Sequence, residues 1–225
     1  MIVVTGASRG LGNAICNRLV LRGLDVFGVA RDVSGLTFPA MACDVSQPDQ
    51  VKLVASRLKR DRAAVSALVN AAGIASMNLA LTTPPEVSRR LIETNLLGTI
   101  YCCQSIAPLL IRNKGGSIVN FSTIAVALGL KGESIYAASK AGVEAFSRAF
   151  AREMADFDIC VNCIAPGPID TALLKGVTAE QIERIVVRQV VPRQFTPDAV
   201  CDLLELLLDP RSRSLSGQVL HVGGA

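Results

Sequence analysis

The chain has 225 residues, of which 50% are hydrophobic and 19% charged, and its net charge is +4. This composition suits one α/β domain with a large core, and the low charge content indicates a surface partly buried against other subunits. Nucleic acid is disfavoured as a partner, because only 4% of the residues are aromatic and the basic residues form no stripe.

We expect a cytoplasmic protein without a membrane-spanning segment. Residues 1–5 enter a strand pattern with no basic and apolar leader before them. No apolar window reaches the roughly 18 uninterrupted residues that a membrane span requires. The seven cysteines are an odd number without disulfide-like spacing, which suits a reducing compartment. Cys160 and Cys163 lie in a predicted strand, where residues three apart face opposite ways, so we interpret them as core residues and predict no metal site.

Short apolar, β-branched runs alternate with helical patterns along the chain. The predicted strands are residues 2–4, 25–30, 40–42, 67–70, 117–121, 159–164 and 218–222. The predicted helices lie near residues 12–22, 48–60, 85–112, 135–155 and 197–208. This alternation predicts a single domain over residues 1–225, with a doubly wound parallel sheet of about seven strands, of Rossmann type, and helices on both faces. Residues 31–39 are too few for the helix that usually joins parallel strands, so we expect a loop there.

The first predicted strand runs into a glycine-rich turn, TGASRGLG at residues 5–12, and then into an apolar helix. Glycines at such a turn let the backbone bend tightly and approach a ligand. The N-terminus of the helix then offers free N–H groups and a positive dipole end to a pyrophosphate. We predict a dinucleotide site formed by Gly6, Ser8, Arg9, Gly10, Leu11 and Gly12.

The tip of the second predicted strand indicates which dinucleotide is bound. Arg31 stands where an enzyme that uses NAD(H) places a carboxylate for the ribose hydroxyls, and a guanidinium suits the 2′-phosphate of NADP(H). Arg9 would supply a second positive charge. The alternative is that Arg31 and Asp32 form a solvated ion pair at a loop. On the charge argument we favour NADP(H) over NAD(H).

The stretch IYAASK, residues 135–140, places one of only two tyrosines four residues before a lysine. On a helix, Tyr136 and Lys140 share a face with their Cβ atoms about 6 Å apart. A nearby ammonium favours the phenolate and lowers the pKa of the tyrosine. The phenol could then donate a proton to a developing alkoxide, or accept one from an alcohol. Alone, this spacing would better fit a surface ion–dipole pair.

Further motifs accompany this pair. They are NAAG at residues 70–73, ETNL around Asn95, Ser122 with Thr123, and PGPIDT at residues 166–171. With TGASRGLG and YAASK, these motifs make the chain resemble the classical short-chain dehydrogenases/reductases nearly from end to end. The stretches IETNL, AEQIERIVVRQVVP and SGQVLHVGG are similar to bacterial 3-oxoacyl-acyl-carrier-protein reductases of fatty acid biosynthesis.

The resemblance implies four catalytic residues. Tyr136 would be the general acid/base, and Lys140 would hold the nicotinamide ribose and lower the pKa of Tyr136. Asn95 would fix a water that relays protons from Lys140, although an Asn inside a helix also bonds backbone at a bend. The fourth group, a serine in the family, falls on Thr123, thirteen residues before the tyrosine, with Ser122 beside it. Adjacent residues at a strand end face opposite ways, so we expect one hydroxyl to bind substrate with Tyr136, and we favour Thr123 over Ser122.

The resemblance also implies further cofactor contacts. The adenine would meet Asp44 and Val45. The remaining contacts, on the adenosine ribose and the nicotinamide carboxamide, would come from Asn70, Ala71, Gly73, Pro166, Gly167, Ile169 and Thr171. For the PGP stretch, the alternative is an ordinary rigid turn. The segment between Thr171 and Val191 would be the substrate lid, with the apolar residues Leu173, Leu174 and Val177 near its start and the basic residue Lys175 among them.

Taken together, the resemblance implies an NADP(H)-dependent enzyme that reduces a ketone to a secondary alcohol, most simply a 3-oxoacyl thioester. Another secondary alcohol or ketone (sugar, polyol, steroid-like molecule or natural-product intermediate) is the alternative substrate, and a non-catalytic NADP(H) sensor is the remote one. Relatives pair the helices predicted at residues 85–112 and 135–155 across a two-fold axis, so we expect a homotetramer or homodimer.

Overall fold

The structure, a computed structural model, describes residues 1–171 and 177–225. Seven strands form one parallel sheet in the order β3-β2-β1-β4-β5-β6-β7. The order reverses direction beside β1, as in doubly wound folds. The predicted parallel sheet is confirmed. Its strands are β1 (Ile2–Thr5), β2 (Val26–Ala30), β3 (Ala40–Ala42), β4 (Ala67–Asn70), β5 (Gly116–Phe121), β6 (Ile159–Pro166) and β7 (Val219–Val222).

Eight α-helices lie among the described residues. The five predicted from the sequence are present, although the one expected at residues 85–112 is interrupted by a π-helical segment, Ile92–Leu97. Two short helices in the second half of the chain, α5 and α7, were not predicted. The helices are α1 (Gly10–Leu21), α2 (Pro48–Arg60), α3 (Pro85–Leu91), α4 (Gly98–Arg112), α5 (Ile124–Leu128), α6 (Ser134–Met154), α7 (Ala179–Val186) and α8 (Pro197–Leu208).

Alternate residues of each strand fill two cores, one on each face of the sheet. On one face, Val3 packs in a cluster with side chains from α2, α4 and α6. On the other, Ile2 and Val4 pack in a cluster with side chains from α1 and α8. Because both faces are covered, the strands are almost entirely apolar, as expected for a buried parallel sheet.

The long helical segment Pro85–Arg112 combines α3, the π-helical segment and α4. By length and composition alone it could cross a membrane, but half of its most apolar window is buried inside the protein. Its buried residues include Cys103, Ile106 and Leu110, which belong to the first core.

The connection from β2 to β3 is a loop without a helix, as the sequence predicted. It crosses over the second core, where Phe38 is buried. A Cβ on Gly28 in β2 would lie 2.7 Å from Cε2 of Phe38, so the glycine makes room for the aromatic ring. Phe38 therefore packs directly on β2 from within a connection of only nine residues, shorter than the dozen or more that usually join parallel strands.

All seven cysteines are free and buried. Burial raises the pKa of Cys16 and Cys103 to about 12, which keeps both thiols protonated and unreactive. In β6, Cys160 Sγ donates to the carbonyl of Arg213 and Cys163 Sγ donates to Ser147 Oγ, both at 3.1 Å. These contacts fit the interpretation of the pair as core residues.

Candidate active site

The carboxyl ends of β1, β4, β5 and β6 meet at one edge of the sheet. Thr5 is in register with Asn70, and Asn70 with Asn120, so the segments that follow these strands lie side by side. The predicted glycine turn, NAAG, Ser122–Thr123 and the PGPIDT loop therefore converge, although they are far apart in sequence. In open parallel sheets this edge, at the reversal of strand order, is where ligands bind.

The glycine turn after β1 has the conformation that a close backbone approach requires. Gly6 and Gly10 have positive φ angles, +71° and +58°. A Cβ on Gly6 would lie 2.9 Å from the carbonyl oxygen of Ala71, and a Cβ on Gly12 would overlap the carbonyl oxygen of Gly6. Helix α1 begins at Gly10 and has no side-chain cap, which leaves its first N–H groups for a ligand.

Two hydrogen bonds hold this turn against its neighbours. Asn13 Nδ2 donates to the carbonyl of Ala7 at 3.0 Å, and the backbone N–H of Ala72 donates to Thr5 Oγ1 at 3.1 Å. The second bond ties NAAG, with Ala71 and Gly73, to the end of β1. Of the remaining residues predicted in the turn, Ser8 and Arg9 are exposed, and Leu11 packs on the second core.

Arg31 is exposed at the tip of β2 and forms no ion pair with any residue in the described ranges. The neighbouring carboxylate of Asp32 instead accepts hydrogen bonds from the N–H and Oγ of Ser34, at 3.0 and 2.8 Å. These bonds lower the pKa of Asp32. The alternative of an Arg31–Asp32 ion pair is therefore not what the structure has, and the guanidinium of Arg31 is available to a ligand.

Asp44 and Val45 follow β3 on the same side of the sheet. Asp44 Oδ1 accepts hydrogen bonds from the N–H and Oγ of Ser46, at 3.0 and 2.7 Å, and Asp44 N–H donates to Gln50 Oε1 at 2.8 Å. Val45 is buried against α4, because a Cβ on Gly98 would lie 2.8 Å from Val45 Cγ2. These contacts hold the segment before α2 in place, and Asp44 stays half-buried beside the predicted adenine position.

The side chain of Asn70, predicted to line the adenosine ribose side, is held in the core by hydrogen bonds. Its Nδ2 donates to Asn120 Oδ1 at 2.8 Å and contacts Cys103 Sγ at 3.4 Å, inside the core beneath α4. Asn120 Nδ2 continues this buried chain to Ser147 Oγ at 2.8 Å. The Asn70 side chain therefore joins β4, β5 and α6, and only its backbone lies at the predicted cofactor edge.

Thr123 and Ser122 face opposite ways at the end of β5, as predicted. The Thr123 hydroxyl faces the Tyr136 phenol closely enough to lower its pKa. It also accepts a hydrogen bond from the N–H of Ala125 at 3.2 Å, so it caps α5. Ser122 Oγ instead donates to Glu144 Oε1 at 2.6 Å inside the protein. The structure thus brings Thr123, and not Ser122, to the tyrosine.

Tyr136 and Lys140 lie in the first turns of α6, and both are buried. Burial, and then the nearby Glu133, raise the pKa of Tyr136 to about 12, against the smaller lowering effect of the Thr123 hydroxyl. Burial lowers the pKa of Lys140 to about 8. The expected lowering of the tyrosine pKa by the ammonium is therefore corrected, because burial dominates and Lys140 Nζ donates to the carbonyl of Phe121 at 2.9 Å.

Asn95 lies in the π-helical segment and is completely buried. Its amide exchanges two hydrogen bonds with the backbone of Ile74, both 2.9 Å, and Nδ2 also donates to Ser139 Oγ at 3.0 Å. A Cβ on Gly73 would lie 3.3 Å from Asn95 Oδ1 and 3.4 Å from Lys140 Nζ. Gly73, Asn95 and Lys140 therefore meet at one point, and the backbone that Asn95 bonds belongs to the loop after β4.

The loop after β6 carries the other predicted cofactor contacts. Pro166 is the last residue of β6. The N–H of the next residue, Gly167, donates to the carbonyl of Val222 at 3.2 Å, and Ile169 is buried. A Cβ on Gly10 would lie 3.9 Å from Thr171 Cβ, so this loop faces the glycine turn. Leu173, Leu174 and Lys175, near the start of the predicted lid, lie outside the described residues.

Two residues of this region were not predicted to belong to the site. Gln189 is buried, a Cβ on Gly167 would overlap its Oε1, and this oxygen has no hydrogen-bond partner. Glu133, at the N-terminus of α6, is buried three residues before Tyr136. Neither position has a signal in the sequence, because burial of a lone polar residue depends on contacts between distant elements.

Comparison with known proteins agrees with this geometry. The family model described as short chain dehydrogenase matches residues 1–182. A 3-oxoacyl-[acyl-carrier-protein] reductase of Vibrio cholerae is 32% identical over 231 residues, which cover 99% of this chain and 95% of that protein. The reductase of the same name from Bos taurus is 35% identical over 190 residues, 80% of each chain.

Solved structures are similar over almost the whole chain. The ligand-free aldohexose dehydrogenase of Thermoplasma acidophilum superposes with a TM-score of 0.89 at 30% identity, covering 99% of this chain and 92% of that one. A short-chain type dehydrogenase/reductase from Mycobacterium ulcerans gives a TM-score of 0.91 at 24% identity, covering 98% and 87%, and supports the fold alone. The parallel sheet and the site at its carboxyl edge are those expected of the matched family. The chain therefore belongs to the short-chain dehydrogenases, oxidoreductases that use a nicotinamide cofactor.

Proposed function

We propose that the protein uses NADP(H) to reduce a ketone to a secondary alcohol, and that a 3-oxoacyl thioester is its substrate. The observation that carries the reaction class is that the Thr123 hydroxyl faces the Tyr136 phenol, which lies one helical turn before Lys140 on α6. The relatives named 3-oxoacyl-[acyl-carrier-protein] reductase support the substrate, because two of them are 32% and 35% identical over most of the chain.

In this proposal Tyr136 donates its phenolic proton to the oxygen of the reacting carbonyl as that oxygen gains negative charge. The Thr123 hydroxyl donates a second hydrogen bond to the same oxygen and orients the carbonyl. When bound, the nicotinamide cofactor supplies the hydride to the carbonyl carbon. The pKa of Tyr136 near 12 keeps the phenol protonated and ready to act as an acid in the reductive direction.

Lys140 and Asn95 would resupply the proton and hold the cofactor ribose. The pKa of Lys140 near 8 lets it exchange a proton close to neutral pH. Its Nζ lies beside Gly73 and Asn95, which connect it to the loop after β4. These residues provide a polar path out of an otherwise apolar site.

Arg31 supports the preference for NADP(H). Its guanidinium is exposed at the tip of β2 and has no acidic partner among residues 1–171 and 177–225. Beside it, Asp32 is engaged by Ser34, so no carboxylate is directed at the ribose position. The glycine turn supports pyrophosphate binding, because α1 begins at Gly10 without a side-chain cap and leaves its first N–H groups for a ligand.

A polyhydroxylated substrate is the second candidate. The likeness to an aldohexose dehydrogenase, at 30% identity and a TM-score of 0.89, favours it. The buried carboxyl of Glu133 beside the tyrosine also favours it, because a carboxylate accepts hydrogen bonds from hydroxyl groups.

The deciding experiment is NADPH consumption with a 3-oxoacyl thioester and with an aldohexose, for the parent and for Tyr136→Phe. We expect turnover of the thioester by the parent and its loss in the variant, which keeps the ring but has no proton to give. Tight NADPH binding without turnover of any ketone in a broad panel would contradict the proposal and support the sensor alternative.

For the assembly we propose a homotetramer or homodimer in the cytoplasm. Support comes from the apolar residues of α6 that lie near its surface, including Phe146, whose ring stacks on Phe150 with centroids 5.1 Å apart. The free, buried cysteines support a reducing compartment. Light scattering at micromolar concentration tests the assembly, and a monomer would contradict it.

A further inference from the structure

Glu133 is a buried carboxyl group without a partner at the edge of the candidate active site. Its relative exposure is 7%, and its side chain forms no hydrogen bond or ion pair with any residue that the structure describes. Buried carboxylates are normally paired or hydrogen-bonded, because removing a charge from water without compensation is costly. The Glu133 oxygens are not among the fully buried unpaired atoms of the described residues, so they remain reachable from the site, and an unpaired carboxyl at this place points to a ligand that completes it.

Glu133 lies close to the reacting group along the chain. It is the N-cap residue of α6, and its carbonyl accepts a hydrogen bond from the N–H of Ala137, which opens the helix. Tyr136 lies three residues further on, within the reach of neighbouring side chains on a helix. The charge of Glu133 raises the pKa of the Tyr136 phenol, so the carboxyl lies within electrostatic range of the phenol.

Cations do not offset this charge. Lys131, two residues earlier, is exposed, and the guanidinium of Arg188 donates to the carbonyl of Leu128 at 2.7 Å. Burial alone raises the pKa of Glu133, and no charged group of the described residues opposes the shift. The carboxyl can thus serve as an acceptor when ionised and as a donor when protonated.

We infer that Glu133 is a substrate-binding residue that holds a second oxygen of the substrate, carried within two carbons of the reacting carbonyl. This inference deepens the proposed function and rests on it. Two substrate classes share the required chemistry: a thioester carbonyl accepts a hydrogen bond from the protonated carboxyl, and a sugar or polyol hydroxyl donates one to the carboxylate. A ketone with a single oxygen leaves Glu133 without a partner.

The test compares three small ketones of similar size: a 3-oxobutyryl thioester, 1-hydroxy-2-pentanone and 2-pentanone. Each is assayed with NADPH on the parent, Glu133→Gln and Glu133→Leu. Glu153→Gln is the matched control, because it changes the same residue type on an exposed turn at the far end of α6. The melting temperatures of all variants show whether a loss of activity is caused by a loss of folding stability.

We expect Glu133→Leu to lower kcat/KM for the preferred two-oxygen substrate at least about tenfold more than for 2-pentanone, mostly through KM. Glu133→Gln should recover most of this loss, since an amide both donates and accepts. The Leu variant should melt no lower than the parent, because it removes an unpaired buried charge. Preference of the parent for the thioester or for the hydroxyketone identifies which oxygen Glu133 holds.

An equal loss on all three ketones, or a Leu variant with the selectivity of the parent, would overturn the inference while leaving the proposed function standing. Loss of melting temperature in both Glu133 variants, with Glu153→Gln unaffected, would show a structural role and overturn it as well. A parent that reduces no ketone would overturn the proposed function and, with it, this inference.

Discussion

The hydroxyl of Thr123 faces the phenol of Tyr136 and lowers its pKa, across the gap between the end of β5 and the first turn of α6. This contact leads to the first prediction. Thr123→Ala should lower kcat about 100-fold, because one of two donors to the developing oxyanion is lost. Thr123→Ser should retain most activity, since it keeps the hydroxyl. Steady-state kinetics at saturating NADPH measure both, and full activity of Thr123→Ala would contradict the assignment.

The second prediction concerns Ser122, whose replacement should lower stability rather than activity. Its hydroxyl donates to Glu144 Oε1 at 2.6 Å, away from Tyr136. Ser122→Ala should leave kcat within a few-fold of the parent. It should lower the free energy of unfolding by about 1 to 3 kcal/mol, because the buried carboxylate loses a hydrogen bond. Urea denaturation measures this loss, and an inactive but fully stable Ser122→Ala would reverse the roles of the two hydroxyls.

The third prediction concerns cofactor choice. Arg31 is exposed without an acidic partner in the described part of the chain, and a guanidinium pairs with a 2′-phosphate. Arg31→Ala should weaken NADPH binding about 10- to 100-fold and leave NADH binding nearly unchanged. Fluorescence titration with both cofactors measures the ratio. A parent that binds NADH as tightly as NADPH would refute the preference for NADP(H).

Lys140 leads to the fourth prediction, on stability against pH. Its pKa is about 8 in the folded protein and near 10.5 in the unfolded chain. Between these values the unfolded chain holds a proton that the folded protein has released, so the free energy of unfolding rises with pH. From pH 7 to 9 the parent should gain about 1 kcal/mol relative to Lys140→Met.

The comparison with Lys140→Met cancels the contribution of the buried cysteines. Their raised pKa values act in the opposite direction above pH 9, where unfolded thiols lose a proton that folded thiols keep. Parallel stability curves for the parent and Lys140→Met between pH 7 and 9 would show that the ammonium is not desolvated. Denaturant unfolding at several pH values provides the measurement.

The sheet and the glycine turn could be predicted because their signals are local. The strands of the sheet, such as Ile2–Thr5, are continuous apolar runs, and the turn at Gly6 and Gly10 requires positive φ angles that favour glycine. The loop between β2 and β3 was also predictable, since its length alone excludes a helix. These features depend on a few neighbouring residues.

Other features depend on contacts between distant elements, and the sequence could not supply them. The hydrogen bond from the Asn70 side chain to Asn120 across the sheet, for example, could not be predicted from the NAAG motif. The pKa of Tyr136 was expected to fall because of Lys140, yet the depth of burial decides its direction. Glu133 and Gln189 drew no prediction, because an unpaired buried group is recognisable only after its surroundings are known.

The fifth prediction tests the glycine turn with a matched pair of substitutions. A Cβ on Gly12 would overlap the carbonyl oxygen of Gly6, whereas a Cβ on Gly35, in the loop after β2, would meet nothing within 4 Å. Gly12→Ala should lower the free energy of unfolding by about 3 kcal/mol, because backbone atoms must move to admit the methyl group. Gly35→Ala should change it by less than about 0.5 kcal/mol.

The same pair separates folding from cofactor binding. Moving α1 away from Gly6 displaces the free N–H groups at its N-terminus, so Gly12→Ala should also weaken NADPH binding at least about tenfold under conditions where it remains folded. Gly35→Ala should bind as the parent does. If Gly12→Ala binds NADPH normally despite its lower stability, the turn packs the helix against the strand but does not hold the pyrophosphate.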